Sequence, residues 1–503
     1  MHIGAKWDQL GRWHPDKVAV VDEAGRWTYR QFAARIQRFG HAMRGLGLEP
    51  GDRIALMIPD IREYLEVDYG TMSAGLVRVP LDPRLTRNEL IALVRHVGAR
   101  VFVSHVSFAD KLAGLCAEIE SLDRIVMIGG AADGSLDYEL LLQDASDSPF
   151  TDGDNNDLAA LNFSGGTTGA PKATMLRHRN LMAVAQNTIQ GFEIAPDAVF
   201  LNVRPLWPIA QVVMMAYLMA GATVVLGGRF SAEGFAAQIE RTGATRTSLV
   251  PTQLVRFVEH VNAGDARLDR LQAIHIGGSR IPPNIFEQVL EAIGPKIGVL
   301  YGLTEAPVTC YLKPRQLDCP QPERDRLLHS VGHELFGYQV KLAASDESDG
   351  SGEVLIRGPN VMAGYWGNEA ATRSALQNGW LHTGDIGQFD SEGNLFIVGR
   401  LKDVIRSGSS SIVPKEVEDV IMLHPAVSEV AVLGVPDVEW GEAVTAFVVL
   451  KSGCAASESE LQEHCRTHLA SYKKPRTVRF VEGLPRSHYG KVLQAQLMAQ
   501  VRG

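Results

Sequence analysis

The run Asn162-Phe163-Ser164-Gly165-Gly166-Thr167-Thr168-Gly169-Ala170-Pro171-Lys172 gathers glycines, hydroxyl side chains and a closing lysine. Glycine lets backbone N–H groups turn toward an anion, and hydroxyls add donors, so the run suits a phosphate cradle. It is not a Walker A loop, because Lys172 follows proline and no Ser or Thr comes next. On composition alone, a Gly/Thr surface loop is an equally good reading. Four more clusters follow: Tyr301-Gly302-Leu303-Thr304-Glu305, Trp380-Leu381-His382-Thr383-Gly384-Asp385, Gly399-Arg400-Leu401-Lys402-Asp403, and Pro485-Arg486-Ser487-His488-Tyr489-Gly490-Lys491. Read singly, Glu305 and Asp385 are exposed carboxylates and Lys491 a solvated lysine. His464 and His468 lie four apart on a predicted helix, but the Glu of HExxH is missing and no third ligand is indicated. A solvated helix face is the plainer reading. No GxSxG nucleophile elbow occurs; Leu328 breaks the nearest approach, Leu-His-Ser-Val-Gly.

Taken together, in this order and at these separations, the five clusters resemble the adenylate-forming superfamily of acyl-CoA synthetases, peptide adenylation domains and beetle luciferases. The resemblance covers essentially the whole chain. It implies that Ser164, Gly166, Thr167, Thr168, Gly169 and Lys172 close over the β- and γ-phosphates of ATP. It implies that Thr304 bonds the α-phosphate and that Glu305 holds Mg²⁺. Tyr301 and Gly302 join the same nucleotide set, and Gly277, Gly278 and Ser279 resemble the backbone wall beside adenine. Asp385 would accept both ribose hydroxyls through charge-assisted bonds, with Arg400 on ribose or phosphate. Lys402 sits where the family hinges its small domain, and Lys491 would bridge the substrate carboxylate and the α-phosphate. The acyl pocket would include Trp207, Pro208, Gln211 and Pro307, and Gly408 and Ser409 would face the pantetheine channel.

The implied activity is that of an ATP-dependent carboxylic acid:CoA ligase. A carboxylate is a poor acyl donor, because its leaving group would be oxide. Attack on the α-phosphorus makes an acyl-AMP and releases pyrophosphate; a thiol then displaces AMP. Two anions must meet in line, so the protein supplies positive charge and positioning more than acid–base chemistry. Alternatives are an acyl-AMP ligase loading the phosphopantetheine of a carrier protein, and a lapsed relative that binds nucleotide or acyl-adenylate without turnover. Departures from the family pattern are Gly165 for Ser, Ala173 for Gly, Pro208 for His, Arg280 for Pro, and Ser409 for the second Gly of the small-domain loop. By the same resemblance, a side chain at 409 would narrow the channel for pantetheine or adapt it to another acceptor.

These residues need a scaffold, and composition limits which. The chain has 503 residues, 45% hydrophobic and 21% charged, which excludes a mostly disordered or fibrous protein. A net charge of −9 gives no global basic footprint for nucleic acid. Five cysteines without a CxxC pair exclude a disulfide framework and a thiolate zinc site. The N-terminal segment lacks the apolar run of a secretory signal. Leu206 to Gly228 carries no charge, but Gly221 and the β-branched run behind it predict a buried helix, a stop and a buried strand rather than a membrane span. A cytoplasmic enzyme with reduced thiols is the expectation, and a homodimer is compatible with the resemblance.

Capping boxes at Thr28/Gln31, Thr86/Glu89 and Ser457/Glu460 mark helix starts. Short apolar strands alternate with amphipathic helices through the first 110 residues and again after residue 180, predicting βαβ units and a parallel sheet. Residues 340–400 read as antiparallel strands with Gly- and Asp-rich turns. The fold expected is α/β: a large N-terminal domain (1–399) of stacked βαβ-type sheets with a small β-barrel-like subdomain, a hinge at 400–404, and a small mobile α/β C-terminal domain (405–503).

Overall fold

A computed structural model describes the chain apart from residues 1–2, 133, 151–152, 155, 165–170, 208–209, 262–264, 279–280, 282, 345–349, 409, 487–491 and 503. Packing divides it into two compact units: residues 1–340 with 356–381, and residues 341–355 with 382–503.

In the first unit, strands β1 (Arg53–Met57), β2 (Val77–Pro80), β3 (Val101–His105), β4 (Arg124–Ile128), β5 (Leu158–Ser164) and β6 (Lys172–Arg177) lie in the order β6-β5-β2-β1-β3-β4. From β5 to β4 neighbours are parallel, while β5 and β6 form an antiparallel pair. Consecutive residues of β2 are all buried, which is why the run does not alternate with polar side chains. Helices α1 (Arg62–Ser73) and α2 (Arg87–Val97) cross between strands. The helix α2 starts at the Thr86/Glu89 capping box, and the Thr28/Gln31 box opens the helix Tyr29–Gly45. Asp68 of α1 meets Arg78 of β2 at 3.0 Å in a pair closed to solvent.

A second sheet of this unit holds β7 (Val199–Asn202), β8 (Thr223–Leu226), β9 (Arg246–Leu249), β10 (Ala273–Gly277), β11 (Ile297–Tyr301) and β12 (Cys310–Leu312), in the order β12-β11-β10-β9-β7-β8. All these neighbours are parallel except β11 and β12. The chain runs from β7 to β8 on one side and then places β9 on the other, so the carboxyl ends of β7 and β9 flank a topological switch point, where open α/β sheets form crevices. The uncharged stretch from Leu206 becomes helix α3 (Ala210–Met219), buried throughout, then Gly221 at φ +81° and strand β8. Among the described residues no helix is long and apolar enough to cross a membrane.

His275 of β10 is enclosed in this sheet. Its Nε2 lies 2.7 Å from the Tyr217 hydroxyl and its Nδ1 2.8 Å from the Tyr311 hydroxyl, and Phe192 stacks on the ring at 4.2 Å. Burial, aided by the charge of Arg246, pushes its pKa well below the usual histidine value. The unfolded chain takes up a proton below about pH 6.5 that the native ring refuses, so stability falls as pH drops through that value, by up to about 1.4 kcal/mol per pH unit. The urea midpoint is expected to decline more steeply between pH 6.5 and 5 in the native protein than in His275→Gln; parallel slopes would disprove the assignment.

The second unit begins with strands β13 (Gly352–Arg357), β14 (Trp380–Phe389) and β15 (Leu395–Arg400), which straddle or follow the division; β14 and β15 pair antiparallel, with Asp385 opposite Arg400. A Cβ at Gly399 would strike Val413, the residue that leads into helix α4 (Pro414–Met422). That packing joins the antiparallel segment to the C-terminal residues rather than to the large region. Beyond it, strands β16 (Val427–Asp437) and β17 (Gly441–Leu450) pair antiparallel, and β18 (Thr477–Phe480) runs parallel to β17. Helices α4 and α5 (Glu458–His468) cover them around Ile405, Val417, Ile421, Val432, Val444 and Leu461. A core of its own makes this a separate unit. On α5, His464 Nε2 approaches the Val420 carbonyl at 3.0 Å and His468 Nδ1 the His464 carbonyl at 2.8 Å, so these nitrogens face backbone.

Candidate active site

The carboxyl ends of β10 and β11 carry the Gly277-Gly278 and Tyr301–Glu305 clusters side by side, with Gly277 paired to Leu300. Behind Tyr301 the chain turns back sharply. Leu303 and Ala306 exchange backbone hydrogen bonds at 3.1 and 3.2 Å, which places Thr304 and Glu305 at the tip. Gly302 is needed there, because a Cβ would sit 2.6 Å from the Val308 nitrogen. Val308 itself has φ +50°, a costly conformation for a β-branched residue. Buried Asn360 holds this segment, donating to the Pro307 carbonyl at 3.3 Å and to the Thr309 hydroxyl at 3.1 Å.

Glu305 is fixed from outside its own turn. Its backbone carbonyl accepts from Met362 N at 2.8 Å, and its Oε1 accepts from the Tyr365 hydroxyl at 2.8 Å. Burial, then the Glu305 charge, raise the Tyr365 pKa, so the phenol stays a donor. Lys172, the first residue of β6, places Nζ 4.9 Å from the Tyr365 ring centre. The Gly/Thr run is thus the connection of the β5–β6 pair, with Ser164 opposite Lys172. One tyrosine joins the lysine of the first motif to the carboxylate of the second. Its hydrogen bond to an ionised group is worth about 1.5–3 kcal/mol. Tyr365→Phe is therefore expected to lower kcat/KM for pyrophosphate release about 10-fold or more and to raise the Mg²⁺ concentration giving half-maximal rate. A change in thermal midpoint with an unchanged Mg²⁺ curve would make the tyrosine structural only.

In the second unit, Asp385 and Arg400 are brought together: Arg400 Nε lies 2.9 Å from Asp385 Oδ1, with the carboxylate 4% exposed and the arginine 38%. The Thr383-Gly384-Asp385 turn is organised by Glu353, which accepts from Gly384 N at 2.9 Å and lies 2.7 Å from His382 Nδ1. Gly384 adopts φ +71°, which only glycine takes without strain. Lys402 lies in a short 3₁₀ turn, Leu401–Asp403, and is exposed. Gly408, at φ +62°, donates its N–H to the Trp440 carbonyl at 2.7 Å.

Of the acyl-pocket candidates, Trp207 is half-buried and donates Nε1 to the Pro80 carbonyl at 3.0 Å. Gln211 is buried on α3, and its carbonyl accepts from Tyr69 at 2.9 Å; Pro307 is buried beside the strained Val308. Gly166, Thr167, Thr168, Gly169, Pro208, Ser279, Ser409 and Lys491 lie outside the described residues.

The family model of AMP-binding enzymes matches residues 7–366, and that of the AMP-binding enzyme C-terminal domain matches residues 416–491. The chain belongs to the AMP-binding enzymes, the adenylate-forming superfamily. This AMP-binding enzyme is 32% identical over 493 residues to a feruloyl-CoA synthase of an Amycolatopsis species, covering 97% of the chain and 96% of the relative. It is 30% identical over 497 residues to a fatty acid–[acyl-carrier-protein] ligase of Streptomyces coeruleorubidus, covering 96% and 93%. Among solved structures it resembles an amide bond synthetase from Marinactinospora thermotolerans, at 25% identity and a TM-score of 0.89 over 99% of both chains. Enzymes of this superfamily generally use Mg²⁺. In this AMP-binding enzyme, sequence reasoning named the motif residues but did not name Tyr365, Asn360 or Glu353, which hold Glu305, the segment behind it and the Thr383–Asp385 turn. Only the Gly364-Tyr365-Trp366 aromatic pair behind a glycine hinted at the first.

Proposed function

We propose that this AMP-binding enzyme is an ATP-dependent carboxylic acid:CoA ligase that forms acyl-AMP with release of pyrophosphate and then an acyl-CoA thioester. One observation carries it: a carboxylate and a lysine from separate motifs are held on one tyrosine, at the carboxyl edge of a parallel sheet. Relatives that make feruloyl-CoA and other acyl-CoA thioesters support the same reading.

In the first half-reaction the acid's carboxylate oxygen attacks the α-phosphorus and pyrophosphate leaves. Thr304 donates to the α-phosphate, while Lys172 and the Gly/Thr run orient the departing pyrophosphate. Lys491 sets its ammonium between the two anions that must meet. Asp385 accepts from the ribose hydroxyls, with Arg400 beside it. Glu305 fits a magnesium site: one carboxylate, its other oxygen tied by Tyr365, suits an ion that takes most ligands from phosphates and water. Mg²⁺ bound there would supply charge neutralisation on the phosphates. In the second half-reaction a thiol attacks the acyl carbon and AMP leaves; a thiol needs no triad. A hinge at 400–404, with Lys402 in it, would let the residues beyond it serve both steps, and Gly408 and Ser409 would border the pantetheine. Use of ATP and CoA as substrates would suit a cytoplasmic enzyme.

A mass-spectrometric screen of acids with ATP, Mg²⁺ and CoA tests the reading, scoring acyl-AMP and acyl-CoA separately. Formation of both supports it, and absence of pyrophosphate release with every acid overturns it. Ser409 and the carrier-protein ligase among the relatives favour one second reading, acyl transfer to a carrier protein. Acyl-AMP that is discharged by a phosphopantetheinylated carrier and not by CoA would select it.

A further inference from the structure

Arg204 stands two residues past the carboxyl end of β7, and its Nη1 donates to Ser248 Oγ of β9 at 3.0 Å. Its carbonyl accepts from Asn202 Nδ2 at 2.6 Å. Other enclosed arginines of this unit have carboxylates: Arg78 has Asp68 at 3.0 Å, and Arg35 and Arg62 share Glu66 at 2.7 and 2.9 Å. Among the described residues Arg204 has no acidic side chain within ion-pair distance. Protein atoms crowd its head group, and with no acid to offset them its pKa is drawn down to about 10, although the residue as a whole is only half-buried. Chains rarely keep an enclosed charge without a counter-charge, so an anion from outside is the natural complement.

Its position says which anion. Asn202, Ser248, His275 and Gly298 are successive partners across β7, β9, β10 and β11. Arg204 follows the end of β7, and its guanidinium meets Ser248 in that row, while Gly277 and Leu300 are paired two residues further along β10 and β11. Its guanidinium reaches over β9, at the topological switch point, one strand spacing from β10 and two from β11, or about 5 and about 10 Å. The adenylation turn, Thr304-Glu305, follows β11. Trp207, three residues past Arg204, is among the expected acyl-pocket walls.

We propose that Arg204 is a specificity residue of the acyl pocket and that the acid activated here carries a second carboxylate, a short aliphatic or aromatic diacid. The inference rests on the acid:CoA ligase reading. One carboxylate is adenylated at the Thr304 turn, and the other takes a two-pronged pair with the guanidinium, whose planar fork matches it. A neutral acid of the same shape leaves the enclosed charge unpaired and is rejected.

The test uses the full chain and matched acids: linear diacids of five to eight carbons and benzenedicarboxylic acids, their mono-carboxamides, and monoacids of equal size. Pyrophosphate release is measured for the native protein, Arg204→Met and Arg204→Lys, and binding of the same acids in the presence of AMP is followed by calorimetry. The native protein is expected to favour a diacid over its carboxamide about 100-fold, the worth of a charge-assisted pair. Arg204→Met should collapse that ratio and Arg204→Lys should keep part of it, with the KM for ATP unmoved. Native preference for monoacids, an equal fall for diacid and monoacid in Arg204→Met, or a rise in the KM for ATP in place of the acid would each overturn the proposal. If no acid releases pyrophosphate the ligase reading fails, and calorimetry decides the subsite by itself. Diacid binding lost in Arg204→Met upholds it, and no diacid binding to the native protein ends it.

Discussion

Lys491→Ala is expected to lower pyrophosphate release from ATP and acid about 100- to 1,000-fold, the cost of removing one donor aimed at developing charge, while thioester formation from supplied acyl-AMP falls only a few-fold. The asymmetry follows from the charges. Before adenylation, an anionic carboxylate must approach an anionic α-phosphate, and a cation between them has its largest effect in that transition state. After adenylation the carboxylate charge is gone: the acyl carbon is a neutral carbonyl joined to the singly charged phosphate of AMP, so the incoming thiol faces no approach of two anions for the same ammonium to relieve. Lys491→Arg separates charge from shape: a guanidinium keeps the charge but presents a broader planar head, so partial recovery is expected. Single-turnover assays of the two half-reactions, run separately, decide it. Equal losses in both halves would remove Lys491 from its assigned role.

Asp68→Ala is expected to destabilise the first unit by about 3–5 kcal/mol, because the Arg78 guanidinium would remain enclosed with no counter-charge. Both side chains are 1% exposed and 3.0 Å apart. Burial outweighs the attraction of Arg78 and raises the Asp68 pKa to about 6, so the pair is costly to keep charged even when complete. The consequence reaches the site, since Arg78 of β2 is the residue paired with Ala160 of β5, the strand that leads into the Gly/Thr run. Denaturant unfolding of Asp68→Ala, Arg78→Met and the double variant Asp68→Ala/Arg78→Met closes the cycle. The double variant should recover most of the loss, because removing both charges removes the penalty. Additive losses would mean that the two residues do not act as a pair.

Much of the local structure was legible because its causes are local. Thr86 and Glu89 are three residues apart and their cap bonds form within one turn, so the pattern alone located the helix. Gly221 behind an apolar run stopped a helix for the same reason. The Tyr301–Glu305 cluster could be placed after a strand because Gly302 answers a steric demand of neighbours six residues away or fewer. The division of the chain was less legible. Residues 341–355 and 382–400 lie in sequence beside the large region, but pairing of Asp385 with Arg400 and packing of Gly399 on Val413 go with their place in the second unit, while 356–381 stay with the first.

The amino-acid sequence by itself determined the family, the order of its motifs and the chemistry they serve, since those depend on which backbone turns and charged groups occur within a few residues of each other. Tertiary structure alone decided how those groups are held. Tyr365 reaches Glu305 across sixty positions, Asn360 reaches Pro307 across fifty-three and Arg204 reaches Ser248 across forty-four. A hydrogen bond or an unpaired charge is a property of distance in space, and distance in space between remote residues exists only after strands have chosen their neighbours.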